Sequence, residues 1–175
     1  MFKLTVLCVC VGTIYGYPPF ALNIPNGKIV PNPCPGYEGS SWTLVGHRFP
    51  DRPQFLREQG ILKKKLVAQG LNTMDMSISL LNVFGEAYKN ASLSWLGVCQ
   101  EDSDGDGLTN GQELGDPNCQ FTPRTPGTAT PIASIGTPIG HPGICDNSQS
   151  DMPNCIAPMS EICPRAPPVA SLPVV

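Results

Sequence analysis

The chain has 175 residues, among them 20 prolines and eight cysteines, with 14 acidic against 11 basic side chains and a formal net charge of −3. That mildly acidic balance gives no general attraction to nucleic acid or anionic lipid. The length suits one domain, and the prolines deny helix to much of it.

Residues 1–16 read as a secretory signal peptide: Lys3 gives a positive start, Leu4 to Ile14 an apolar run, and Tyr15-Gly16 a small-residue end. The run is too short to cross a bilayer, and no later one approaches the roughly 20 residues that crossing needs. A secreted, extracellular protein without membrane insertion is expected, starting near Tyr17. Cys8 and Cys10 would leave with the signal. Cys34, Cys99, Cys119, Cys145, Cys155 and Cys163 remain, an even count that reads as three disulfides in an oxidising compartment. The spacing does not choose among their connectivities. A zinc site is the poorer reading, because C-x-x-C pairs are lacking and His47 and His141 are the only histidines.

Tyr17 to Pro53 carries prolines around Asn26-Gly27 and Cys34, and predicts extended and turned backbone. No proline falls between Pro53 and Pro117, so helix is confined to that middle. One helix is predicted over about Gln54 to Gln69, with Phe55, Ile61, Leu62, Leu66 and Val67 as its apolar set. A second is predicted from Phe84, Tyr88, Ala91, Trp95 and Cys99, which form a single stripe at helical spacing. Asn90-Ala91-Ser92 is the chain's one N-glycosylation sequon. Asn90 lies about 240° round the wheel from Phe84, on the predicted solvent side, and is the candidate glycan acceptor.

The second helix leads into Asp102-Ser103-Asp104-Gly105-Asp106-Gly107-Leu108-Thr109-Asn110-Gly111-Gln112-Glu113, which fits the calcium-loop pattern D-x-[DN]-x-[DN]-G-x₅-E throughout. Asp102, Asp104 and Asp106 would give carboxylates, Leu108 its carbonyl, Asn110 the ninth position and Glu113 a bidentate carboxylate to one Ca²⁺. Residues 101–116 hold six of the 14 acidic side chains, and no Lys or Arg occurs between Lys89 and Arg124. Carboxylates so crowded repel one another unless a cation sits among them. Gly115 and Pro117 stop any exiting helix, which makes this an unpaired loop of the modest affinity that extracellular calcium would fill. Twelve of the 20 prolines lie from Pro117 onward, and residues 146–175 read as a Pro-rich tail unable to order itself by burial. The fold class expected is a small disulfide-rich α domain with irregular and short β segments. It has two helices in its proline-free middle, one unpaired EF-hand-like calcium loop and Pro-rich flanks.

The chain resembles the temptin family, secreted molluscan proteins of water-borne pheromone complexes. The resemblance lies in Ile24-Pro25-Asn26-Gly27, Val30-Pro31-Asn32-Pro33-Cys34, Trp42, Val45-Gly46-His47, Asn82-Val83-Phe84-Gly85-Glu86, Trp95, Cys99, the run Asp102 to Cys119, His141-Pro142-Gly143 and Cys145. It covers residues 17–145 as one domain, with about 49–81 as an insertion and 146–175 without counterpart. It implies disulfides Cys99–Cys119 and Cys34–Cys145, with Cys155 and Cys163 then left for each other. Closing the first, with 20 residues of separation, contributes roughly 3 kcal/mol in the chain-entropy model. A Cys34–Cys145 bridge would also draw His47 and His141 together, as a copper or zinc pair or as two turn histidines bonded to backbone.

The resemblance implies a calcium-binding component of a pheromone or attractant complex, acting by recognition of other secreted proteins or a cell-surface receptor. The alternative is a calcium-associated protein of extracellular or shell matrix. An enzyme is the weakest reading: there is no Gly-x-Ser-x-Gly elbow and no unpaired cysteine is expected. Arg48, Arg52, Arg57, Lys63, Lys64 and Lys65 are opposite in sign to the acidic loop and make either a contact surface or a solvated helix face. Lys63-Lys64-Lys65 is also a candidate processing site.

Overall fold

The computed structural model describes residues 20–70, 80–123, 135–145 and 154–163. The expected signal peptide, residues 1–16, lies outside them, as does the end of the tail. Among the described residues the architecture is a small domain of short helices, one two-stranded sheet and three disulfides. No helix among them is long and apolar enough to cross a membrane.

A 3₁₀ turn at Phe20–Leu22 leads to β1 (Val30–Pro31), which pairs antiparallel with β2 (Ser41–Trp42) in the register Val30 to Trp42. The strands are short because prolines and turn residues flank them. Their Val30 and Trp42 side chains are fully buried and start the core.

Helix α1 (Arg52–Ala68) begins where the Asp51 carboxylate accepts the Gln54 N–H at 2.9 Å and Pro53 fixes the first turn. Gly60 does not interrupt it. It buries little: Phe55 alone is buried, edge-on against His47 at 4.9 Å between ring centroids. Of the rest of the expected apolar set, Leu62 and Leu66 are half-buried, while Ile61 and Val67 remain 44% and 62% exposed.

The single second helix expected from the aromatic stripe is two helices. Asn82 caps α2 (Val83–Asn90) by accepting the Gly85 N–H at 2.8 Å, and its amide donates to the carbonyls of Val45 and His47. Helix α2 ends in a Schellman turn: the Leu93 N–H bonds the Tyr88 carbonyl, the Ser92 N–H bonds the Lys89 carbonyl, and both Ser92 and Leu93 have positive φ. Helix α3 (Trp95–Val98) restarts after Ser94. Phe84, Tyr88, Trp95, Val98 and Cys99 are nonetheless all buried together with Trp42, Leu114 and Ile144. Helix α2 crosses the Val45-Gly46-His47 turn so closely that a Cβ on Gly85 would overlap the Gly46 carbonyl.

The largest departure is at the C-terminal end. Residues 154–163 do not hang free: Met159 joins the core at 5% exposure, at the start of α5 (Met159–Ile162), and Ala157 is 4% exposed. The expected pairs Cys34–Cys145 and Cys155–Cys163 are replaced by Cys34–Cys163 and Cys145–Cys155. The reason is local. Cys145 donates its N–H to the Ala157 carbonyl and bridges Pro158, which sets Cys155 beside it and carries Cys163 on to Cys34.

Candidate metal-binding loop

The acidic loop runs from the end of α3 to α4 (Asn110–Glu113), and its start and finish are pinned separately. Thr109 and Gln112 form a reciprocal capping box at the head of α4. The Cys99–Cys119 disulfide, present as expected, closes the segment at a Cα–Cα distance of 5.9 Å. Asp116 ties the exit to α3: its carboxylate accepts Trp95 Nε1–H at 2.7 Å and the N–H groups of Gln120 and Phe121. Counted among the acidic crowd in the sequence, Asp116 is a structural acceptor with its oxygens already engaged.

Within the loop the carboxylates shape the backbone that carries them. Asp102 accepts the N–H of Gly105 and of Gly107 at 2.8 and 2.9 Å, Asp104 accepts that of Asp106 at 3.2 Å, and Asp106 accepts that of Leu108 at 2.9 Å. Gly105 and Gly107 take the positive φ angles these turns require, +80° and +96°. The outcome is convergence: one carboxylate oxygen each from Asp102, Asp104 and Asp106 lies within 4.8 Å of the others. Asp102 is exposed, while Asp104 and Asp106 are 0% and 1% exposed.

The other three expected ligands are Asn110, Leu108 and Glu113. The Asn110 amide donates to the Val98 carbonyl at 2.7 Å and to Ser103 Oγ at 2.9 Å, so it clips the loop's start to the end of α3. Leu108 is half-buried. Glu113 is buried at 1% exposure and lies outside the convergent triad, with its Oε1 2.9 Å from where a Cβ on Gly140 would stand.

Burial, and then the charges of Asp106 and Asp102, push the Asp104 carboxyl up to about 7, against the pull of the Asp106 and Ile144 N–H groups. Its Oδ2 is buried and receives no hydrogen bond. A buried carboxylate with one unbonded oxygen, close to two other carboxylates, is a costly arrangement alone and suits a hard cation such as calcium, which prefers oxygen donors.

The C-terminal segment, invisible to the sequence reading, forms the back of this loop. The Ile156 N–H bonds the Asp104 carbonyl at 2.7 Å, and a Cβ on Gly105 would overlap the Asn154 carbonyl. The two tail cysteines could equally have closed on each other, so their number alone did not signal this attachment.

His47 and His141 both touch Trp42. The indole Nε1–H donates to the His47 carbonyl, and the His141 ring meets the indole edge-on at 4.9 Å. Burial lowers both imidazoles, to about 4 for His47 and about 3 for His141, so both are neutral. His141 Nδ1 accepts the Gly143 N–H at 3.1 Å, and its Nε2 is buried. Among the described residues, Asp102, Asp104 and Asp106 are the one group of three or more His, Cys, Asp or Glu side chains close enough to hold an ion.

The family model described as Temptin C-terminal matches residues 58–144. Temptin of Aplysia californica is 33% identical over 123 residues, covering 69% of this chain and 76% of that protein. No solved structure matches. The comparison with the Aplysia protein spans most of both chains, and this chain belongs to the temptin family.

Proposed function

We propose that the chain is a secreted, calcium-binding component of a pheromone or attractant signalling complex, acting by protein–protein recognition and not by catalysis. The observation that carries the calcium reading is the convergence of one carboxylate oxygen each from Asp102, Asp104 and Asp106, in a cluster where the buried Oδ2 of Asp104 receives no hydrogen bond. Those three carboxylates would hold the ion, with the Leu108 carbonyl, Asn110 and Glu113 as the remaining positions of the pattern. The cation would neutralise the cluster and stiffen a loop that Cys99–Cys119 closes and the 154–163 segment backs.

Membership of the temptin family supports the pheromone-associated role, and the disulfides support an extracellular setting. The candidate recognition element is α1. Arg52, Arg57, Lys63, Lys64 and Lys65 are exposed along it beside Leu56, Ile61 and Val67, which suits an acidic secreted partner or receptor surface. The test is biological. Purified protein, released into the fluid around the source animal, should elicit attraction with calcium present, and D104N should be weaker. Recovery only from demineralised matrix, with no behavioural effect, would replace this reading by the structural one.

A further inference from the structure

We infer that Asn90 carries an N-linked oligosaccharide, and that this glycan covers an apolar ledge formed by Leu93 and Leu96. The acceptor sequon Asn90-Ala91-Ser92 occurs once in the chain. The structure places it at the end of α2, where the helix stops and the backbone turns out. Asn90 and Ser92 are both exposed, and Ser92 holds a positive φ of 56° at the head of the turn. Asn26, Asn82 and Asn110, by contrast, have their amides committed to main-chain carbonyls of the fold. Asn90 combines the sequon with an exposed position that leaves room for a bulky polar modification.

The same turn exposes what a glycan would hide. Leu93, the residue that completes the Schellman turn, is 44% exposed, and Leu96 in the first turn of α3 is 66% exposed. Two leucines on one short corner form an apolar ledge on a protein expected in dilute aqueous surroundings. An oligosaccharide anchored three residues before Leu93 lies over that corner.

The chemistry needs passage through the secretory pathway, with which three disulfides agree. There a lipid-pyrophosphate-linked oligosaccharide is the donor. The Asn90 Nδ2 forms a bond to the anomeric carbon, the bond from that carbon to the pyrophosphate oxygen breaks, the lipid pyrophosphate leaves, and Nδ2 gives up one proton to a base. The inference is independent of calcium binding.

The experiment is peptide mapping of the protein secreted from eukaryotic cells, before and after treatment with a glycoamidase. The expected result is an oligosaccharide on the Asn90 peptide that the enzyme removes, converting residue 90 to Asp. It should be absent from both Asn90→Gln and Ser92→Ala. A secreted wild-type protein with bare Asn90 overturns the proposal and needs no variant to fold. Removing the glycan from the native protein should raise binding of an apolar dye, and Leu93→Ser/Leu96→Ser should abolish that rise. A dye signal unchanged by deglycosylation overturns the covering role.

Discussion

Asp104→Asn separates the two consequences of burying this carboxyl among like charges. Its pKa moves from 3.8 up to about 7, chiefly through burial and then through Asp106 and Asp102. Between those values the unfolded chain has released the proton while the folded chain keeps it. The folded state therefore binds more protons, and the stability it gains is complete below the unfolded value and lost as pH rises through about 7. Some three units at about 1.4 kcal/mol each set a ceiling on the order of 4 kcal/mol. Asparagine is isosteric, keeps an oxygen for the Asp106 N–H and does not titrate. In calcium-free buffer, D104N should thus gain on the parent by up to about 4 kcal/mol between about pH 4 and about pH 7.5, measured by urea unfolding. His47 and His141 work in the opposite sense. Their lowered pKa values leave them neutral in the fold while the unfolded chain takes up protons, so acid destabilises through them. They are common to both proteins and cancel in the difference. Calcium should act in the opposite direction, stabilising the parent by about 2.7 kcal/mol at a hundredfold excess over Kd, which narrows the gap, and leaving the variant unmoved. A variant less stable than the parent at every pH without calcium, or equally stabilised by it, would refute the reasoning.

Non-reducing peptide maps should return Cys34–Cys163, Cys99–Cys119 and Cys145–Cys155. Replacing Cys34 and Cys163 together by serine should cost about 5 kcal/mol, against roughly 3 kcal/mol for Cys145 and Cys155, because the first pair spans 129 residues and the second 10. Recovery of a Cys34–Cys145 peptide would contradict the structure. Asp116→Ala removes the acceptor for Trp95 Nε1–H and two backbone N–H groups. It should lower stability by about 3 kcal/mol while leaving the calcium stoichiometry unchanged, which a titration of the folded variant checks. Gly85→Ala should cost about 3 kcal/mol or fail to fold, since the new methyl meets the Gly46 carbonyl; thermal unfolding near that of the parent would show that α2 can move away.

Local chemistry was legible wherever one side chain dictates one backbone choice. Pro53 marked the start of α1, although α5 and the turn at Phe20–Leu22 show that helix is not confined to the proline-free middle, and the alternating aspartates with Gly105 and Gly107 marked a turned loop whose three carboxylates do converge. The α2–α3 break was not legible because its left-handed residues are Ser92 and Leu93, where glycine would have announced the turn. The stripe survived the break, so periodicity alone read through it. Nor was the docking of residues 154–163 legible. Their composition is that of a tail, and it is the non-local bonds, Cys145 N–H to Ala157 and Ile156 N–H to Asp104, that order them. Asp116 and His141 mark a third limit. Sequence identifies a residue able to ligate, but burial and hydrogen bonding decide whether its polar atoms are already engaged by the fold.

The claim on which the rest depends is that Asp102, Asp104 and Asp106 converge to hold a single divalent ion. Calorimetric titration of calcium into the oxidised, secreted protein, with D104N run alongside, tests it most directly. The account predicts one ion per chain for the parent, with a Kd at or below millimolar levels, and no measurable heat of binding for the variant. Equal binding by both proteins, or none by the parent in millimolar calcium, would contradict it.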